Sequence, residues 1–517
     1  MKLGRLAIDF GNANTVVAMW DGESKLAKAV GLEPFSRAQV WQDESIPSIP
    51  SIIHYKQDGS FLIGNEVLQA DLAAHEHTFI ALKTTFDTVH SVTVNNKKIT
   101  AKKAAEDFLV AVMTLAIEKF AVAPDEPIVL TVPVDTFEKY SKWLTDVASQ
   151  LGIKNIRFID EPSAAALSFG KTVKQNEDYL IFDFGAGSLD LALVRFKFDD
   201  TSQNACNCRV LGKKSMQLGG NNIDKWIADH FSSKLGKDRF NTLSLTNQCR
   251  TAKEKLSFAD SVNFLADDNA GQLLKLEFDR ELLVEILEEH EFFLKIDRTV
   301  QSAESLAQCD FAYKRKNLAQ VFMVGGTSII PELQRHLRRG FGKERVHVSS
   351  PLDSIATGAA AFAAGATLYD HVQHDYAIEV LNIEKKKRQM KVIIKRGEKF
   401  PSEHTIASEV VKAVTYGQTK FELYIYEISK EEVEQGSEFI DLAQVIEKED
   451  EILRCVCLNR SHPTLLATPR PIMMNHPAMQ IDFRIDENKH LVIDTYRFET
   501  DELKVPDMKD VIVVRLA

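Results

Sequence analysis

Apolar runs suited to buried strands recur along the chain with glycine-bearing turns at their ends, and two of these units are near copies of one another. Leu3 to Phe10 leads into Gly11-Asn12-Ala13-Asn14 and then a second extended run, Thr15 to Trp20. Tyr179 to Phe184 leads into Gly185-Ala186-Gly187-Ser188 and then Leu189 to Phe198. Each reads as strand, tight turn, strand. The small residues let backbone N–H groups approach an anion closely, and Asp9 and Asp183, near the ends of the first strands, can hold a hydrated cation beside it. One Asp-Phe-Gly alone fits an ordinary hairpin turn. Its repetition between strands predicts two halves of a phosphate clamp and a two-lobed site.

The intervening pattern alternates. Lys25 to Val30 reads as a strand, Ala104 to Phe120 as a helix with Phe108, Val112, Leu115 and Ile117 at helical spacing, and Ile128 to Val134 as a strand. A helix over 136–151 stops at Gly152, a short strand covers Ile156 to Ile159, and Asp160-Glu161-Pro162 opens another helix with an acidic first turn. This alternation predicts an α/β layer architecture. Phe79-Ile80-Ala81-Leu82-Lys83 ends an apolar run on a lysine, which by itself reads as a snorkelling surface residue. Leu218-Gly219-Gly220 and Val324-Gly325-Gly326 place glycine pairs at strand-to-helix junctions, where amides and a helix N-terminus suit a phosphate or nucleoside. Past residue 370 the period changes. Met479, Ile481, Phe483 and Ile485 alternate with polar residues, Leu491 to Phe498 returns, and Met390 to Lys395 and Phe421 to Ile428 supply earlier strands, so this part is expected to be all-β.

The 517 residues call for several domains, and 44% hydrophobic content suffices for large cores. A net charge of −11 argues against nucleic acid as a partner. The run Ala356 to Leu368 is too short to span a bilayer, and Lys2, Arg5 and Asp9 spoil a signal peptide, so a cytoplasmic protein with no membrane partner is expected. Six cysteines read as reduced thiols, and Cys206-Asn207-Cys208 with Cys455-Val456-Cys457 lacks the usual zinc spacing. The chain has no P-loop, no dinucleotide fingerprint and no His-Arg-Asp.

Taken together, Ile8 to Gly11 with Asn14, Phe79 to Lys83, Thr131-Val132-Pro133, Asp160 to Leu167, Phe182 to Asp190, Leu218-Gly219-Gly220, and Val324-Gly325-Gly326 followed by Gly358-Ala359-Ala360 resemble the 70-kDa heat-shock chaperones, the DnaK family within the actin and sugar-kinase ATPase superfamily. The resemblance implies an α/β two-lobed actin-like ATPase of duplicated ribonuclease-H-like halves over residues 1–370, a linker at 371–378, and an all-β sandwich for substrate over 379–517. It implies ATP or ADP with Mg²⁺ in the cleft. Asp9 and Asp183 would hold the hydrated metal, with Asp190 pairing with them. Lys83 would steady the attacking water and Glu161 would orient it. Gly11, Asn12, Ala13 and Asn14 with Gly185, Ala186, Gly187 and Ser188 would wrap the phosphates. Gly219, Gly220, Lys253, Glu254, Ser257, Gly325, Gly326 and Asp353 would line the nucleoside. Partners implied are client polypeptides and a co-chaperone or nucleotide-exchange factor.

The chain departs from the family pattern at several of these positions. Asn12-Ala13 stand where hydroxyl residues are usual, so slow hydrolysis is expected. Glu254 and Ile329 replace two arginines near the base, weakening nucleotide binding unless Arg250 or Lys253 substitutes. Ile383 to Arg388 is basic where the family has an apolar arch, and only nineteen residues follow Phe498, so no helical lid is expected. The alternatives are a pseudo-ATPase or regulatory interaction protein of the same fold and, third, a small-molecule kinase.

Overall fold

In the computed structural model the described residues are 3–516 apart from 87, 135–137, 171, 199–205, 237–238, 241, 270–271, 312, 349–350, 373, 383–386, 403, 431–443, 449–450, 461, 487–488 and 500–503. The chain divides into two units, Met1–Asp135 with Ser141–Leu368, and Thr136–Tyr140 with Tyr369–Ala517. Among the described residues no helix is long and apolar enough to cross a membrane.

The first unit is mixed α/β and holds two sheets built to one plan. In the first, Leu6–Phe10 pairs antiparallel with Asn14–Asp21 and parallel with Ile128–Val132, which continues in parallel to Ile156–Asp160. In the second, Asp178–Phe184 pairs antiparallel with Leu189–Phe198 and parallel with Leu318–Val324, which continues in parallel to Val346–Val348. Leu6–Phe10 and Asp178–Phe184 are buried at every position, which is why they read as unbroken apolar runs.

Two short alanine-rich helices, Glu161–Ser168 and Ser354–Ala363, pack against each other and share one core with residues of both sheets, among them Val16, Ile159, Ile181 and Val324. Their contact is closer than side chains allow. A Cβ on Gly358 would stand 1.7 Å from the Ala164 carbonyl oxygen, so the small-residue run of the sequence serves close helix packing. The other face of the second sheet is covered by the helices Gly220–Leu235, Thr242–Leu256, Arg280–Glu289 and Phe292–Phe311 around a second core that includes Phe182, Phe184 and Phe292. The expected helix after Val134 is Glu138–Gln150, and the one expected from Ala104 begins at Ala101, capped by the Thr100 side chain, which accepts from the Lys103 amide.

From Tyr369 onward the described residues of the second unit are built of strands. One sheet orders Lys387–Ile394, Asp375–Asn382, Ile425–Lys430, Glu451–Cys457 and Gln444–Lys448, and another orders Ala407–Lys412, Pro477–Ile485, His490–Phe498 and Lys504–Arg515. The alternation expected at Met479, Ile481, Phe483 and Ile485 is real: all four are buried and share a core with Leu491 and Ile493. Two expectations need correction. Phe421 to Ile428 is two strands, Gln418–Leu423 and Ile425–Lys430, in different sheets. The Asn459 side chain fastens the break, donating to the Leu423 carbonyl at 2.9 Å and accepting from the Ile425 amide at 2.9 Å. The connection expected over 371–378 is strand at both ends, because His371 pairs with Lys399 and Asp375 opens a strand. Of the basic run 383–388, residues 383–386 lie outside the described residues, and Lys387–Ile394 is strand.

Candidate functional site

Register alone brings the first acidic residues into place. Asp9 lies one residue past the pairs Ala7↔Val129 and Ile8↔Leu130, beside Thr131, whose hydroxyl donates to Asp9 Oδ1 at 2.6 Å. In the second half Asp183 is paired directly with Asp190 across the antiparallel ladder. Glu161 comes from elsewhere: it starts the helix capped by Asp160, whose Oδ1 accepts the Ser163 amide at 3.0 Å. Carboxylate oxygens of Glu161, Asp183 and Asp190 lie within 4.8 Å of one another, and all three residues are buried. Asp9 is not a member of this trio, but its charge acts on Asp183.

Lys83 is not the surface residue its apolar run suggested. Ala81 adopts a left-handed backbone (φ 52°) and turns the short helix Leu82–Thr85 so that the Lys83 ammonium pairs with Glu161 Oε1, both side chains buried. One ammonium therefore faces four carboxylates, Asp9, Glu161, Asp183 and Asp190. The electrostatic consequence is plain in the acids. Burial, then Glu161, pushes Asp9 up to about 6, with Lys83 and Thr131 opposing. Burial, then Glu161, Asp190 and Asp9, holds Asp183 well above the carboxylate range. Burial, then Glu161, raises Asp190 to about 7 even though the Ser188 hydroxyl donates to its Oδ2 at 2.6 Å. Among the described residues Asp183 Oδ1 and Asp190 Oδ1 are buried with no hydrogen-bond partner, although the Ser215 hydroxyl is near enough to Asp190 to oppose the rise in its pKa. Hard oxygen donors with excess negative charge and unsatisfied lone pairs fit a hydrated Mg²⁺.

Around this pocket the glycine turns interlock. Gly220 N donates to the Gly185 carbonyl at 3.1 Å, Asn221 N to that of Ala186 at 2.8 Å, and the Thr327 hydroxyl to Gly185 O at 2.8 Å. Gly325 has φ +80°, and a Cβ there would meet the Phe184 carbonyl oxygen at 2.4 Å and Asp183 Oδ1 at 2.7 Å. Gly326 has no heavy atom within 4 Å of where its Cβ would stand, leaving open space. In the first loop, Ser51 Oγ donates to Gly11 O at 2.7 Å and Ser51 N to Ala13 O at 2.9 Å. Asn12 reaches the Lys83-bearing segment, accepting the Thr84 amide on Oδ1 at 3.0 Å.

The expected nucleoside residues divide. Lys253 pairs with Asp224 at 2.6 Å and donates to Gly220 O at 3.0 Å, while Arg250 pairs with Asp224 at 3.0 Å and with Asn221 Oδ1 at 3.3 Å. Both cations named as substitutes for the missing arginines are thus tied into this frame. Glu254 is exposed, and Ser257 is partly buried one turn further on. Asp353 is raised to about 6 by burial and then Glu44, its Oδ1 buried without a partner among the described residues. Sequence reasoning missed two residues. Arg37, on the strand Arg37–Trp41, brings a half-buried guanidinium into the field of Glu254 and reaches Asn14 Oδ1 at 3.5 Å. Lys213 pairs with Asp160 at 2.6 Å with both side chains buried, bracing the start of the Glu161 helix. Neither sits in a motif, and only the three-dimensional register exposes them.

Residues 5–442 match the family model described as Hsp70 protein. The chain is 25% identical over 437 residues to the Chaperone protein DnaK of Nitrosopumilus maritimus, covering 79% of this chain and 65% of that relative. It is 26% identical over 444 residues to the DnaK of Cenarchaeum symbiosum, covering 81% and 63%, and 24% identical over 458 residues to that of Thermotoga maritima, covering 84% and 72%. The chain thus spans less than two thirds of the length of the first two relatives.

Proposed function

The chain belongs to the Hsp70 protein family, and from that premise we propose that residues 1–370 form a two-lobed actin-like ATPase core that binds ATP or ADP with Mg²⁺, while residues 379–517 form a β-sandwich that binds polypeptide. The observation that carries the reading is the carboxylate trio Glu161, Asp183 and Asp190, with two buried oxygens lacking partners among the described residues, set beside Lys83 and against Gly325. Asp9 and Asp183 would hold the hydrated cation, and Asp190 and Glu161 would complete its negative surroundings. When bound, Mg²⁺ supplies neutralisation of phosphate charge. Gly11 to Asn14 and Gly185 to Ser188 present amides to the phosphates. Lys83, fixed by Glu161, directs its ammonium at the attacking water, and Glu161 orients that water. Gly219, Gly220, Gly325 and Gly326, framed by Lys253, Ser257 and Asp353, face the nucleoside, with Arg37 supplying a guanidinium close to Glu254.

Hydrolysis is slow in this reading, because Asn12 and Ala13 offer no hydroxyl near the terminal phosphate. The protein works in the cytoplasm on client polypeptides, with a co-chaperone or exchange factor setting its cycle. Titration with fluorescent ATP in the presence and absence of Mg²⁺ tests it: Mg²⁺ strengthens binding to the wild type but not to Asp183→Asn, and equal binding throughout removes the proposed site. The amide of Asn12, lying across the mouth of the loops, favours a second reading, a regulatory interaction protein that binds nucleotide with little turnover. Single-turnover hydrolysis well above a Lys83→Ala control excludes that second reading.

A further inference from the structure

The side chain of Asn12, in the first glycine loop, joins three segments of the site. Its Oδ1 accepts the amide of Thr84, next in the chain to Lys83, at 3.0 Å. Its Nδ2 lies 2.1 Å from the point where a Cβ on Gly187 would stand, so the carboxamide rests against the bare backbone of the second loop. Thr84 Cγ2 closes on the same point at 3.4 Å. The first loop, the segment bearing Lys83 and the second loop are thereby latched together at the end of the cleft where Lys83 sits.

From this we infer that Asn12 is a specificity-determining residue that makes the site favour a nucleoside diphosphate over a triphosphate. The inference rests on the nucleotide reading above, which places the terminal phosphate of a triphosphate toward Lys83. A diphosphate leaves that end of the cleft to the latch. A third phosphate group needs the space held by the carboxamide, so Asn12 must turn away, giving up its bond from the Thr84 amide and its packing on Gly187. Losing one such bond and its contact is worth about tenfold in affinity. Discrimination of this kind comes from a side chain standing in the way of the larger ligand, not from an added contact to the smaller one.

Isothermal titration of the full chain with ADP and with a non-hydrolysable ATP analogue, both with Mg²⁺, tests it in the wild type, Asn12→Ala and Asn12→Ser. The expected result is wild-type preference for ADP by about tenfold, with both substitutions strengthening the triphosphate and raising the ratio of triphosphate to ADP affinity. An analogue-to-ADP ratio equal in all three proteins overturns the inference while leaving the nucleotide reading intact. Weaker triphosphate binding in both variants also overturns it, since Asn12 then contacts the terminal phosphate. Binding of neither nucleotide to any of the three proteins defeats the nucleotide reading itself, and this inference with it.

Discussion

The two strand–turn–strand units of the first domain put an aspartate at the same place in the same sheet plan and then treat it differently. On the parallel side Asp9 has Thr131, a hydroxyl that hydrogen-bonds it, whereas Asp183 has Val324, which cannot. On the antiparallel side Asp9 faces Val16, whereas Asp183 faces Asp190. The first aspartate has a hydroxyl partner and rises to about 6, while the second has, among the described residues, a buried oxygen without a partner and is held well above the carboxylate range. An unpaired carboxylate in a low-dielectric site is costly without a ligand. The first half meets its aspartate with a hydroxyl, and the second half sets its aspartate against another carboxylate.

Each half also lends one lysine to the helix between them. Lys83 comes from the first half to Glu161, and Lys213 from the second to Asp160. The difference is in role: Lys83 faces the carboxylate pocket, while Lys213 is sealed in, its side chain 1% exposed. The largest effect is therefore expected at the sealed pair. Lys213→Met leaves Asp160 buried without its cation and costs about 3 to 5 kcal/mol of stability by urea unfolding. A loss under about 1 kcal/mol, the value of an exposed pair, removes the distinction.

This bracing also marks the limit of what the sequence discloses. The glycine turns and their aspartates are legible because each requires a short local pattern, and the strand ladders then place them without further information. Glu161 is legible only through the company of Asp160 and Pro162. Lys83 reads as a surface residue, since a left-handed alanine at position 81 leaves no sign in sequence. Arg37 and Lys213 are invisible, because each meets its charge partner across a long stretch of chain, as the separation of 53 positions between Asp160 and Lys213 illustrates. The break at Tyr424 is hidden for the same reason, being set by a distant Asn459.

The next effect separates the two aspartates as ligands. With contact to the metal through water, Asp183→Asn is expected to weaken Mg²⁺-dependent ATP binding on the order of 100-fold, and Asp9→Asn on the order of 10-fold. Titration of both variants at a fixed pH of 8 measures it, and equal losses would erase the asymmetry between the halves. Without ligand the order reverses in sign. Burial beside Glu161, Asp190 and Asp9 disfavours the ionised form of Asp183, so at pH 8 the Asp183→Asn variant is expected to unfold at a higher temperature than the wild type. Asp9→Asn gains less, because Thr131 already stabilises the Asp9 carboxylate. Calorimetry in a chelating buffer reads the difference, and an Asp183→Asn protein less stable than the wild type would contradict the picture of a site strained by its own charge.

The smallest effect lies away from the cleft, at the edge of the first half. His54, His75 and His77 pile their rings at 4.9, 5.1 and 6.5 Å, with His54 Nδ1 2.8 Å from the Thr78 hydroxyl. Burial first, then His75, His77 and Lys56, lowers the His54 pKa below 6.5. A base whose folded-state pKa is lowered is held neutral by the fold, while the unfolded chain takes up a proton as the pH falls through 6.5. Stability from this group is accordingly complete above 6.5 and is lost progressively below it. The second half has no such stack among its described aromatic contacts, so replacing His54 isolates the effect. His54→Phe is expected to flatten the decline in melting temperature between pH 7.5 and 5 by an amount corresponding to less than about 1 kcal/mol, whatever it does to the absolute value. If wild type and variant decline in parallel, His54 is protonated as readily in the folded protein as in the unfolded chain, and its burial carries no cost.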